Sequence, residues 1–299
     1  MGASYEVVAK VRDREHWLQA RREGIGGSDA AAILGVSRWA SAIEIYAEKI
    51  SSEPVSMDSP SDQARWGNIL EPHVIEEFRS RTGRVVKREG RLLRSRARPW
   101  QMATLDARQR KHPSGPPGLV EVKTTRFDWE RIPEDIWAQV QHQFAVTKMR
   151  YGSIVIFNRT SCETSIVDVE PDADYIGEMI ELEEKFWTDL CNGKPPAPDG
   201  SDSARATLRS LYPEHDEGKE IKLDDRLIEV GSSLESAKES RKKIVSEIRE
   251  YENDLIAAIG DAEVGLLADG TRYTYRTQQR RETVQAATSF RVLRRKEAS

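Results

Sequence analysis

The chain has 299 residues, 38% of them hydrophobic and 32% charged, which suffices for one large domain or two modest ones. No stretch approaches the roughly 18 uncharged apolar residues of a membrane span, and the amino-terminal MGASYEVVAKVRDREHW lacks the apolar run of a signal peptide, so neither is expected. Two cysteines, Cys162 and Cys191, are too few for a disulfide framework, a Cys-rich zinc site or a four-thiolate iron–sulfur cluster, and a reducing cytoplasm is the simplest home for them.

Taken from the amino terminus, Ser28 is placed to cap a short helix through AAAILG that Gly35 ends. A second helix follows from Ala40 to Ile50, and residues 51–62 read as a polar loop with Pro54 and Pro60. The next helix ends at Gly83 and carries the stripe Ile69, Leu70, Val74, Ile75 and Phe78. Its regular part is expected to begin near Glu71, because Pro72 suits a first turn. From Arg84 to Gln109 the pattern shifts to the short β-type runs RVVKREG, GRLLRS and WQMATLDAR, and HPSGPPG is a loop before the strand LVEVKTT. Pro133 opens a helix to about Lys148, YGSIVIFNR and TSIVDVEP are further strands, and Asp172 to Cys191 is an acidic helix. GKPPAPDGSDS closes this unit and sets a domain boundary near residue 200.

Beyond it, apolar residues from Leu227 to Ala258 recur at alternating spacings of three and four, broken at Arg241. This predicts a long heptad-patterned helix over about residues 224–260, packed either on its own domain or on another chain. A hairpin around Asp269-Gly270 and a basic tail finish the sequence.

The net charge of −4 names no polyanionic partner, but its distribution is uneven. From Arg79 to Lys111 twelve basic residues face only Glu89 and Asp106; from 160 to 202 twelve acidic residues face only Lys185 and Lys194; and the last 29 residues swing back to +6. One segment attracts polyanions and another repels them.

The residues that could carry chemistry are Glu71, Asp106, Glu121 and Lys123. In LVEVKTT the strand period of two turns Glu121 and Lys123 to one face and Val120 and Val122 to the other. A hairpin could bring Asp106 beside Glu121 around one divalent cation, and oxygen ligands of this kind suit Mg²⁺ or Mn²⁺. The matching chemistry is phosphodiester hydrolysis, with Lys123 orienting or deprotonating a water or steadying developing charge. Alone, Asp…Glu-x-Lys is a weak pattern, and by itself it favours an ordinary Glu–Lys pair on a half-exposed strand.

The surroundings add to it. IGGSDAAAILG, RWGNILEPHVIEEF, MATLDA, GLVEVKTT and AQVQHQFAVT, in this order, resemble the YqaJ-type viral recombinase (lambda exonuclease) family of PD-(D/E)-x-K nucleases over about residues 12–195. The resemblance implies an α/β fold with a central mixed β-sheet flanked by helices over residues 1–200, followed in 201–299 by the long helix and small hairpin. It implies Asp106 and Glu121 as metal ligands with the Val122 carbonyl as a third, Lys123 as the catalytic lysine, and Glu71 as the residue helping to hold a second metal. It assigns Gln141 a contact to the reacting strand, and Trp17, Arg21, Ser28 and Thr104 to the terminal 5′-phosphate. Two chemical considerations agree: guanidinium binds phosphate bidentately, and a helix with Gln141 four residues after Trp137 can bury one stripe while its glutamines face the cleft. Leu105 stands where the superfamily name expects Pro, and Asp29 reads as a first-turn helix residue and not a ligand.

The implied activity is metal-dependent 5′-to-3′ degradation of linear double-stranded DNA, leaving a 3′ single strand for phage recombination by annealing. It needs Mg²⁺, with Mn²⁺ as the alternative and two ions per site. A homotrimeric ring and a single-strand annealing protein as partner complete the implication, in a bacterial cytoplasm and away from membranes. The rival readings are an internally cutting nuclease with the same core and a non-catalytic DNA-binding or assembly protein.

Overall fold

A computed structural model describes residues 4–52 and 62–279. The chain divides into two units, Met1–Tyr212 and Pro213–Ser299.

In the first unit a five-stranded mixed sheet runs in the order β2 (Val85–Arg88), β5 (Ala107–Arg110), β6 (Gly118–Thr125), β7 (Gly152–Asn158), β8 (Thr164–Val169). Strands β6 and β7 are parallel and the other neighbours antiparallel. The parallel pair is joined through helix α5 (Glu134–Thr147), the crossover such a pair requires. Leu119 and Ile154 pack with Val140 and Phe144 of α5, while Val120, Val122 and Val155 pack on the other face with Val74, Ile75 and Phe78 of helix α4 (Asp62–Thr82). Burial on both faces explains the almost uninterrupted apolar character of β6 and β7. Each such side chain contributes about 1.5–3 kcal/mol relative to exposure. Against this background Glu121 and Lys123 stand out as the charged residues of β6.

A second sheet, β1 (Tyr5–Lys10), β3 (Arg91–Ser95) and β4 (Met102–Thr104), is antiparallel throughout. The chain leaves it at Leu105 and enters the five-stranded sheet at Ala107, so Asp106 occupies the break between the two sheets. Its carbonyl accepts the Glu89 N–H at 2.9 Å across that break. The single sheet expected over 84–121 is therefore two. A three-residue strand cannot pair in both sheets, and the bend between them aims the Asp106 side chain.

Helices α1 (Arg14–Arg22), α2 (Gly27–Ile33), α3 (Ala42–Ile50), α6 (Ala173–Cys191) and α7 (Asp202–Leu211) complete the unit. Strand β1 and helix α1 lie ahead of the first element read from the sequence. Three further expectations are corrected. Helix α2 begins at Gly27 with Gly26 as its cap, so Ser28 lies inside the first turn; Asp29 bonds back to the Gly26 N–H at 2.9 Å. Helix α4 starts at Asp62 and continues through Pro72, which places Glu71 in its interior rather than at its start. The core also extends to Tyr212 and not to residue 200, because Ser203 of α7 bonds Ser41 and Glu44 at the start of α3.

The second unit has helix α8 (Arg226–Ile259), none of whose residues is buried, and a hairpin of β9 (Val264–Leu266) and β10 (Arg272–Thr274). Gly270 turns that hairpin at φ 88°, which a side chain would resist. The expected basic tail lies, for residues 280–299, outside the described residues, as does the Pro54–Pro60 part of the polar loop. No helix among the described residues is long and apolar enough to cross a membrane.

Candidate active site

A cleft of about 590 Å³ opens where the two sheets part. Its walls come from α1, the start of α2, one side of α4, β4, β6 and α5. Glu121 and Lys123 project into it from β6, and Asp106 meets them from the break between the sheets. The Val122 N–H donates to Asp106 Oδ2 at 2.7 Å. In an extended strand a residue's N–H and C=O leave by the same edge. The Val122 carbonyl therefore points toward Asp106 too, beyond Ala107, where β5 begins and its pairing with β6 ends.

Lys123 Nζ donates to Glu121 Oε1 at 2.6 Å and to Gln139 Oε1 at 2.9 Å. Gln139 Nε2 donates to Glu121 Oε1 at 2.6 Å, and Gln143 Nε2 to Glu121 Oε2 at 2.7 Å. Each Glu121 oxygen thus accepts a hydrogen bond from α5. Burial raises the Asp106 pKa well above the ordinary carboxylate range, and the nearby Glu121 and Glu71 charges add to this while Lys123 opposes it. For Lys123 burial works against the charge, but Glu121 and Asp106 outweigh it and the ammonium form is favoured. A site that crowds carboxylates around one ammonium holds more negative charge than its own cations balance.

Gln141 is not part of this cleft. It is fully buried, donates to the Glu170 carbonyl at 3.1 Å and accepts the Asp172 N–H at 2.8 Å, so its amide joins α5 to the start of α6. The reason is helical geometry: residues four apart share a face, and a residue midway between them points nearly opposite. Gln139 and Gln143 face Glu121, and Gln141 cannot. That spacing was present in the sequence, and it identifies Gln139 and Gln143 as the site glutamines. Glu71 does line the cleft, where its Oε1 accepts from Arg88 at 2.9 Å. Pro72 has no N–H to return to the Asn68 carbonyl.

The four residues expected at a terminal phosphate all line the same cleft. Trp17 Nε1 donates to Thr104 Oγ1 at 3.3 Å, and the Arg21 guanidinium lies over the Trp17 ring at 5.0 Å. Arg21 also pairs with Asp29 at 3.4 Å, and Asp29 is held more closely by Lys49 at 2.7 Å, whose side chain is wholly buried. Burial alone would raise the Asp29 pKa, but Lys49 and Arg21 bring it below the usual carboxylate value. Two cations on one carboxylate leave this corner with net positive charge. Sequence reading missed Lys49, which is separated from Asp29 by 20 residues. Gly27 permits the close approach of α2 to α5, since a Cβ there would sit 3.0 Å from the Gln139 side chain.

Comparison with known proteins gives the family. Residues 16–150 match the YqaJ-like viral recombinase domain. The "Uncharacterized protein YqaJ" of Bacillus subtilis (strain 168) is 32% identical over 274 residues, spanning 88% of this chain and 84% of that protein. The chain belongs to the YqaJ-like viral recombinase family. The crystal structure of LHK-Exo in complex with dAMP shares its fold at a TM-score of 0.50 and 18% identity, covering 67% of this chain and 98% of that one. A second structure of this alkaline exonuclease, from Laribacter hongkongensis, gives 0.49 at the same identity and coverage.

Among the described residues of this YqaJ-like chain, no three His, Cys, Asp or Glu side chains are gathered as a complete metal cage. A hard cation such as Mg²⁺ keeps several waters and is held by one or two carboxylates together with substrate phosphate. Asp106 and Glu121 fit that requirement, with the Val122 carbonyl at hand. Glu71 would have to exchange Arg88 to serve a second ion.

Proposed function

We propose that this YqaJ-like protein is a metal-dependent exonuclease that degrades one strand of linear double-stranded DNA from its 5′ end, releases 5′-mononucleotides and leaves a 3′ single strand. The observation that carries the reading is one cleft lined by two groups of residues, the acidic group with Lys123 and the net-positive Arg21 corner with Trp17, Ser28 and Thr104. A terminal nucleotide has a phosphate at each end, and a cleft that holds a cationic corner beside a hydrolytic group suits it.

The chain's own residues divide the work. Arg21 and the Ser28 and Thr104 hydroxyls bind the terminal phosphate with charge and donors. Mg²⁺ on Asp106 and Glu121 would supply Lewis acidity toward the scissile phosphodiester. Lys123, held as an ammonium by Glu121 and Gln139, donates hydrogen bonds to the non-bridging oxygen on which charge grows. Gln143 fixes the second oxygen of Glu121 and so keeps that carboxylate aimed into the cleft. The basic run from Arg79 to Lys111 would follow the duplex by backbone contacts that carry no sequence information. A homotrimer around DNA, a single-strand annealing partner and a phage-encoded origin in the bacterial cytoplasm belong to the same proposal.

The test uses linear duplexes labelled at each 5′ and 3′ end, with or without a 5′-phosphate, in Mg²⁺, Mn²⁺ or EDTA, and Glu121→Ala beside the wild type. Metal-dependent release of 5′-mononucleotides, faster from phosphorylated ends and lost in the variant, is expected. Cleavage of closed circular duplex, or release from 3′ ends, would overturn the polarity and end dependence.

A further inference from the structure

Beside the cleft lies a second hollow of about 290 Å³. It shares Ser28, Lys123 and Gln139 with the cleft, and Trp39 and Trp129 help to form the rest of its wall. Trp39 is 74% exposed, an unusual position for the largest apolar side chain in a folded unit. It is nonetheless held in place: the Ser37 hydroxyl accepts the Trp39 N–H at 3.2 Å and the Ala40 N–H at 3.1 Å. The neighbouring Arg38 guanidinium lies 6.0 Å from the Trp39 ring centre and is tied to both oxygens of the buried Asp135 at 3.2–3.3 Å. That bidentate pair cancels the one cation contributed by the hollow itself.

The two spaces therefore differ in chemistry. The cleft offers unbalanced charge to phosphates, and the hollow offers aromatic surface and a neutral pair, which suits an uncharged flat ring. Its position says which ring. The hollow touches Ser28, from the terminal-phosphate residues, and Lys123, from the hydrolytic residues, and the base lying between those two phosphates is that of the terminal nucleotide. We infer that the hollow receives the unpaired base of the 5′-terminal nucleotide, stacked on Trp39. The inference rests on the proposed function and extends it: terminal base recognition would draw the end nucleotide out of the duplex stack before its phosphodiester is cut. Every base has a π-face, so such a site is tolerant of sequence.

The experiment measures equilibrium binding in EDTA, where hydrolysis does not compete, to duplexes ending in a 5′-phosphorylated, one-nucleotide overhang. In one duplex the terminal nucleotide carries its base, and in the other it is abasic, so neither has a terminal pair to break. Wild type is expected to bind the abasic end about five- to a hundredfold more weakly, the range of aromatic–base stacking. Trp39→Ala should bind both ends alike, at the wild-type abasic affinity, and Trp39→Phe should recover part of the discrimination. Equal wild-type affinity for the two ends, or full discrimination retained by Trp39→Ala, would overturn the inference. If wild type fails to prefer 5′-phosphorylated over 5′-hydroxyl ends, the proposed function falls first, and the inference with it.

Discussion

Three glutamines of α5 lie within five residues, yet the structure gives them opposite tasks, and substitution should separate stability from rate. Gln141→Leu removes the bonds of its buried amide to the Asp172 N–H and the Glu170 carbonyl. Both backbone groups belong to exposed residues and can turn to water, so the first unit should lose the net worth of the two bonds, about 1–3 kcal/mol. For a unit of this size that lowers its melting temperature by about 5 °C. Gln139→Leu removes a half-buried amide whose two partners, Lys123 and Glu121, remain bonded to each other at 2.6 Å. Its stability cost should stay below about 1 kcal/mol, while loss of the bond that aims Lys123 should slow hydrolysis about a hundredfold. Thermal unfolding followed by circular dichroism, with single-turnover cleavage of a 5′-phosphorylated duplex well below either melting point, reads both quantities. A Gln141→Leu protein that is stable but slow, beside a Gln139→Leu protein that is fast, would refute the assignment of the two faces.

Arg21→Ala should abolish the rate advantage of 5′-phosphorylated over 5′-hydroxyl ends, and an undiminished ratio in end-labelled cleavage would remove Arg21 from the phosphate corner. Lys49→Met leaves buried Asp29 with the Gly26 N–H and, as its counter-charge, the 3.4 Å Arg21 contact, and should cost about 3 kcal/mol in urea unfolding; a loss below about 1 kcal/mol would mean that Lys49 is not the main counter-charge. Asp168 is held at about pKa 2, first by its hydrogen bonds from Arg84, against some burial. Its carboxylate stabilises the fold above about pH 4 and loses that contribution as pH falls through 2. With the side chain half exposed, Asp168→Asn should flatten the acid limb of the stability curve by about 1 kcal/mol. Burial works against the charged form of His142, but Glu183 at 2.6 Å prevails and raises its pKa. That pair stabilises fully below about pH 6.5 and weakens as pH rises through the raised value. Melting temperature should therefore fall on the alkaline side in the wild type, and His142→Gln should remove that part of the slope.

Much of the site could be read in the amino-acid order. Glu121 and Lys123 share a face because a strand alternates, and Leu119, Val120 and Val122 beside them are what a strand buried on both sides requires. The 139/143 spacing marks a single helical face in the same way, although a glutamine at 141 competes for attention unless the period is applied to all three. Local rules have this reach because they depend only on neighbours within a turn or a pleat. Other features depend on residues far apart in the chain. The three-and-four spacing of Pro72 and its surroundings could not say that α4 starts at Asp62, since packing of Val74, Ile75 and Phe78 on β6 compensates a mid-helix proline. Nor could composition say that Asp106 sits between two sheets, that Lys49 neutralises Asp29, or that Ser203 anchors α7 to α3 and carries the first unit to Tyr212. Periodicity set which side chains share a face; only the folded arrangement, which balances buried charge and polar groups over long separations, decided which faces meet.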